Sequence, residues 1–214
     1  IHRHGGPEAL VWEDVEVGES LGKMVKGPLT VTELIVFHAG GYGFTPYAPS
    51  ASRLGYKNRN RIPGFYIKNE QGVPDVAQRV HWDSQWAQAI GSPMAYDYGM
   101  LRECWLQHFL TDWMGDDAWL ARQSDEIRKF NYIGDTQFIT GEVTGKREEA
   151  GRFAVDIALR STSQRDQVTV EGTATVLLPS RDYGPVVLPV PPDDVQRTAI
   201  EMMHRRGELL RERG

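Results

Sequence analysis

A single cysteine, Cys104, excludes an intrachain disulfide, so the fold must hold by packing and hydrogen bonding alone. No apolar run approaches the roughly 18 residues of a membrane span, and the start of the chain lacks the apolar core of a secretory signal; a cytoplasmic location is expected. Basic excess is missing too. With a formal charge of −5 and a pI near 5.7, the chain offers no broad positive field for a nucleic-acid backbone or an anionic membrane. Metal-ligand spacing, a phosphate loop and internal repeats are likewise absent.

What remains is an ordinary globular composition, 40% hydrophobic and 25% charged over 214 residues, which suits one domain with a full core. Residues 1–9 read as a tail and residues 10–180 as the domain. From Leu10, Val11, Val15 and Val17 alternate with acidic residues and suggest a short edge strand. The string LTVTELIVFHAGG follows as a helix, with Thr30 or Thr32 as its N-cap and Gly40-Gly41 as its stop. Residues 42–80 lack sustained periodicity and read as a long loop. Its aromatic residues, Tyr42, Phe44, Tyr47, Tyr56, Phe65 and Tyr66, favour an ordered lid over disorder. Arg53, Lys57, Arg59, Arg61 and Lys68 in the same stretch either meet phosphate groups or form a solvated surface run.

The centre is more regular. A short helix is predicted over 81–89, then a long one over 99–114 whose polar residues, Arg102, Glu103, Gln107, Thr111 and Asp112, share one narrow face. Its broad apolar face, with Cys104 among its members, demands enclosure. Four strands are predicted next, over 127–132, 136–146, 152–163 and 167–178, with short turns that make them an antiparallel meander. A sheet curled round a buried helix is the natural solution, an α+β arrangement. Residues 181–214 give a proline-rich segment and a polar helix whose thin stripe, Val195, Ala199, Met202 and Met203, suggests docking on a neighbour.

This order of elements resembles that of the MaoC-like hot-dog proteins, and residues match along roughly 12–180. His81-Trp82-Asp83 with Ala87 resembles the family's H-x-D-x-x-x-A segment, Tyr98-Gly99 stands where the family usually has His-Gly, and Gly134-Asp135-Thr136 resembles its GD-T turn. Gly141-Glu142-Val143 and Val170 to Ala174 resemble its later strands. The resemblance implies an antiparallel sheet wrapped around a long central helix. It also implies a hydratase or dehydratase, a lyase, acting on an enoyl-CoA/3-hydroxyacyl-CoA pair, with coenzyme A entering only as part of the substrate. A homodimer or a hot-dog hetero-oligomer is the expected assembly.

By position His81 matches the family's catalytic histidine, and a carboxylate should stand beside it, because hydration needs one proton removed and one returned near neutral pH. Val76 occupies the spacing of the family's aspartate; Asp75, one residue away, and Asp97, at the mouth of the long helix, are the alternatives. Asp83 reads first as a helix cap. Gly99 can offer its amide to a thioester oxygen at a helix N-terminus, or simply permit close packing. Trp82, Tyr96 and Tyr98 are candidate substrate contacts, and the aromatic insert together with Trp82, Trp86 and Tyr96 hints at a bulky or ring-bearing acyl group. His38 and His108 read as structural. The displaced aspartate and Tyr98 in place of histidine also fit a degenerate, acyl-CoA-binding partner subunit, and a thioesterase on the same fold is a third possibility.

Overall fold

The computed structural model describes residues 9–41, 53–188 and 190–212. A 3₁₀ turn at Trp12–Asp14 leads to strand β1 (Ser20–Lys26) and helix α1 (Val31–Gly41). Helix α2 (Arg53–Arg61) and a small hairpin of β2 (Tyr66–Lys68) and β3 (Pro74–Val76) come next. A 3₁₀ turn at Ala77–His81, helix α3 (Ser84–Ala89) and helix α4 (Gly99–Met114) follow. Strands β4 (Trp119–Ile127), β5 (Gln137–Glu149), β6 (Arg152–Ser163) and β7 (Val168–Leu178) then precede helix α5 (Asp193–Glu212).

The five long strands form one antiparallel sheet in the order β1-β5-β6-β7-β4. Alternate residues point inward, as a sheet with one packed face requires: Ile139 and Val143, Val155, Ile157 and Leu159, and Ala174, Val176 and Leu178 are buried. Against them lies α4, with Leu101, Trp105, Leu106, Phe109, Leu110 and Trp113 in the same core. Gly141 is where helix and sheet come closest. A Cβ there would stand 3.0 Å from Phe109 and 3.1 Å from Leu21, so glycine lets the helix ring rest on the strand. This is the hot-dog arrangement.

Several expectations need correction. Residues 128–132 are not a strand; the first strand after α4 is β4, and it pairs with β7 at the far edge, so only β5, β6 and β7 form the meander. The error is one of register along the sequence, because the WLARQSDEI stretch of β4 is too polar to announce a strand with one half-buried face. Near the start, the alternation at Val11 to Val17 forms a 3₁₀ turn rather than a strand, and pairing begins at Ser20. The 42–80 stretch holds structure of its own, with its basic residues on an exposed α2 and hairpin, while Tyr42, Phe44 and Tyr47 lie outside the described residues. The predicted 81–89 helix is two pieces, a 3₁₀ turn ending at His81 and α3 beginning after Asp83.

Helix α4 differs in which residues face water. Arg102 is buried, whereas Cys104 is exposed and joins Met100, Gln107, His108 and Thr111 in one solvent stripe. The apolar stripe of α5 is uncovered within this chain: Val195, Met202 and Met203 are all more than half exposed. No described helix is long and apolar enough to cross a membrane.

Leu110 is fully enclosed and Cys104 is not, so truncating each side chain should give very different costs. Leu110→Ala is expected to lower unfolding stability by about 2–5 kcal/mol through lost burial and a residual cavity. Cys104→Ala should stay within roughly 0.5 kcal/mol of wild type, the range of an exposed substitution. Urea denaturation of both variants measures the difference.

Candidate active site

The site begins with how the chain enters α1. Thr30 caps the helix, accepting from the Glu33 amide at 3.2 Å while the Glu33 carboxylate receives the Thr30 amide at 2.8 Å, a reciprocal capping box. Four residues apart on one face, Leu34 and His38 are both fully buried. That spacing brings His38 under the segment that leads into α4, where the Tyr98 hydroxyl bonds its Nδ1 at 2.9 Å. The Trp82 ring completes the enclosure, 5.2 Å from the His38 ring.

His81 closes its 3₁₀ turn half-buried. Its Nδ1 lies 2.9 Å from the Tyr96 carbonyl, which can only accept, so Nδ1 carries the proton and Nε2 is the basic nitrogen of the neutral ring. Tyr98 lies against the imidazole with ring centroids 3.9 Å apart, and Tyr96 meets it edge-on at 4.9 Å. Burial holds the His81 pKa below its ordinary 6.5; the backbone at Tyr96 and Asp97 pulls the other way, and the nearby His38 adds to the lowering. His38 is lowered as well, by burial. Burial thus favours the neutral form of both rings.

Neither candidate carboxylate is bonded to the His81 ring. Asp75, on β3, accepts from the Val76 amide at 2.8 Å and from Arg79 at 3.2 Å. Arg79 also holds Glu70 at 3.3 Å and Asp83 at 2.7 Å, and so gathers the carboxylates of this surface around itself. Asp83 caps α3 as expected, accepting from the Gln85 and Trp86 amides at 2.9 and 3.3 Å. Val76, in the spacing of the family's aspartate, is buried and apolar.

Asp97 turns into the protein, 2% exposed, and makes a 2.8 Å ion pair with Arg102. Its Oδ2 also receives Asn131 at 3.2 Å. Asn131 in turn accepts from Gln137 at 2.8 Å, and Gln137 accepts from Ser161 and Thr169 at 2.9 and 2.6 Å. The result is a buried polar chain from the mouth of α4 across β5, β6 and β7. Desolvation pushes the Asp97 carboxyl up to about 6, against the pull of Arg102 and Asn131.

Gly99 is the first residue of α4, where backbone amides have no partner within the helix. A Cβ on it would stand 2.8 Å from the Ile127 side chain, so close packing against the end of β4 accounts for the glycine.

The structure brings the sequence candidates His81, Tyr96 and Tyr98 into ring contact, with Trp82 beside His38; the sequence reading took His38 as structural and Arg102 as solvent-facing. A histidine four residues after Leu34 on an apolar helix face was the available signal for His38. Arg102 carried none, since nothing in its neighbourhood separates a buried partner of Asp97 from a solvated residue.

No protein-family model matches the sequence, and no curated protein does. Solved structures do resemble the chain. The (R)-hydratase from A. caviae involved in PHA biosynthesis is 20% identical, with a TM-score of 0.56 over 78% of this chain and 99% of that one. The MaoC-like dehydratase from Rhodospirillum rubrum is 15% identical, with a TM-score of 0.54 over 85% of this chain and 100% of that one. A chain of the ChsH1-ChsH2 complex from Mycobacterium tuberculosis is 16% identical, with a TM-score of 0.54 over 76% of this chain and 98% of that one. The hot-dog fold read from the sequence is thus the fold of known hydratases and MaoC-like dehydratases.

With its pKa raised from 3.8 to about 6, Asp97 binds its proton more readily in the folded chain than in the unfolded one. Its contribution to stability is then complete below about pH 4, falls as pH rises towards 6, and is constant above that. The stability difference between wild type and Asp97→Asn, from urea unfolding at a series of pH values, should decline over that window. A rise instead would mean that the Arg102 attraction outweighs desolvation.

Proposed function

We propose that this protein is a hydratase/dehydratase of the enoyl-CoA/3-hydroxyacyl-CoA pair, with His81 as its acid/base group. The observation that supports the reading is the bond from His81 Nδ1 to the Tyr96 carbonyl, which leaves Nε2 as the basic nitrogen of the histidine that matches the family by position. In hydration, Nε2 takes a proton from water as the water oxygen bonds C3 of the enoyl group. The electron pair of the double bond moves towards the thioester oxygen, and the amide of Gly99 stabilises the charge there. C2 then receives a proton and the imidazolium gives one up, so the reaction is neutral overall. Dehydration runs the same steps backwards.

Trp82, Tyr96 and Tyr98 form the walls in this reading, and the Tyr96 ring continues into Phe130 at 4.6 Å. A wall of this kind suits a bulky or ring-bearing acyl group. No cofactor is needed beyond the coenzyme A of the substrate. The assembly is a cytoplasmic homodimer or hot-dog hetero-oligomer.

A second reading has an observation in its favour: both candidate carboxylates are engaged elsewhere, Asp75 by Arg79 and Asp97 by Arg102. A chain without an acid/base dyad can serve as the acyl-CoA-binding partner of a catalytic hot-dog subunit. Hydration by this chain alone separates the two.

Purified protein and its His81→Ala variant, given 2-enoyl-CoAs from short linear to ring-bearing while enoyl absorbance and free CoA are both followed, test the proposal. The expected outcome is hydration by the wild type and a loss of about 10²–10⁴ in kcat/KM in the variant, the usual worth of a general acid/base. Equal rates would remove His81 from the chemistry. Turnover only after adding a second hot-dog protein would support the partner reading, and released CoA a thioesterase.

Because the His81 pKa lies below 6.5 and the base form is the active one, kcat/KM should be level at neutral pH and fall only on the acid side of 6.5. A pH profile from 5 to 8 checks this. A limb centred above 6.5 would show a histidine stabilised as the cation, contrary to the desolvated setting described above.

A further inference from the structure

The His81 ring has no carboxylate bonded to it among the described residues, yet it is held from two sides. Its Nδ1 is fixed by the Tyr96 carbonyl, and one face is covered by Tyr98 at a centroid distance of 3.9 Å. Tyr98 is itself 5% exposed, and its hydroxyl is tied to His38 Nδ1 at 2.9 Å; the two rings lie nearly parallel, 5.8 Å apart. His38 is anchored by α1, where the Thr30 capping box and the buried Leu34 fix the helix in place. Two imidazoles are thereby joined through one phenol.

We infer that His38 and Tyr98 are positioning residues for His81, their buried hydrogen bond locking the Tyr98 ring over the imidazole and replacing the orienting carboxylate that the family pattern would supply. The inference rests on the hydratase reading for its catalytic consequence, though not for its physical one. A carboxylate would favour the imidazolium. The phenol and neutral imidazole instead exclude water from the ring and leave it uncharged.

The titratable groups around His81 support this division. His38 comes from α1, and Tyr96 and Tyr98 from the segment before α4. Asp97 is neutralised by Arg102, and Arg79, on the turn that ends at His81, is neutralised by Asp75, Asp83 and Glu70. Among the described residues, His38 is the neighbour that opposes protonation of His81, in line with its part in lowering the His81 pKa.

Two variants test it. Tyr98→Phe keeps the ring and removes the hydroxyl; His38→Gln keeps a polar side chain and removes the second imidazole. NMR titration of the His81 ring nitrogens should give a higher midpoint in both variants than in the wild type, because the ring gains water in one and loses the imidazole that opposes its protonation in the other. Hydration kinetics should show kcat reduced by about ten- to a hundredfold with KM little changed, the pattern of a misplaced acid/base group. A His81 midpoint that moves in neither variant overturns the inference, and a fall in melting temperature alone would mark the pair as structural. A wild type inactive on every enoyl-CoA would remove the functional reading while the titration still decides whether the three rings are coupled.

Discussion

Asp97 and Arg102 stand at the start of α4 with both side chains out of water, and a pair of that kind is sustained only where further hydrogen bonds complete it. Here they do. Arg102 also donates to the Lys129 carbonyl at 2.5 Å, and Asp97 is continued by Asn131 and Gln137 into the hydroxyls of Ser161 and Thr169. The backbone is stitched along the same line, with the Asp97 amide on the Asn131 carbonyl at 2.9 Å and the Ile133 amide on the Ala95 carbonyl at 3.0 Å. Residues 95–97 are thus fastened to the loop between β4 and β5.

What sits on that fastened segment is the candidate site. The Tyr96 carbonyl, which sets the His81 tautomer, lies between the two stitches, and Tyr98 and Gly99 follow directly. The Asp97 carboxylate is therefore not bonded to the His81 ring; it holds the peptide whose carbonyls meet the histidine. Under the proposed reading, a carboxylate at the mouth of the buried helix can support the site while enclosed against the core. That reading also separates positioning, supplied by a buried polar chain, from the chemistry proposed for a half-buried imidazole.

The fold was legible where one face of an element is strongly apolar. The α4 helix, β5, β6 and β7 all declare themselves by period, and their order led to a sheet around a helix. β4 did not, because an edge strand whose residues are mostly exposed has no alternation to read, and the more apolar residues just after it drew the assignment forward. For the candidate site, the sequence pointed to His81 and the aromatic residues only through the family resemblance, whereas the Asp83 cap was legible from capping preference. The fate of Asp75 and Asp97 was not. Each depends on an arginine, Arg79 or Arg102, and local spacing does not say which carboxylate a long flexible cation will choose. His38 required knowing that α1 packs beneath Tyr98, a contact across sixty residues of sequence.

The central claim is that a thioester lies with its carbonyl oxygen at the N-terminus of α4 and its reacting carbons at His81. A crystal structure of the protein bound to a 3-hydroxyacyl-CoA tests that most directly. The account expects the thioester oxygen within hydrogen-bonding distance of the Gly99 amide and the C3 hydroxyl within reach of His81 Nε2. An acyl group seated elsewhere, with His81 still enclosed by Tyr96 and Tyr98 and the Gly99 amide untouched, would contradict it.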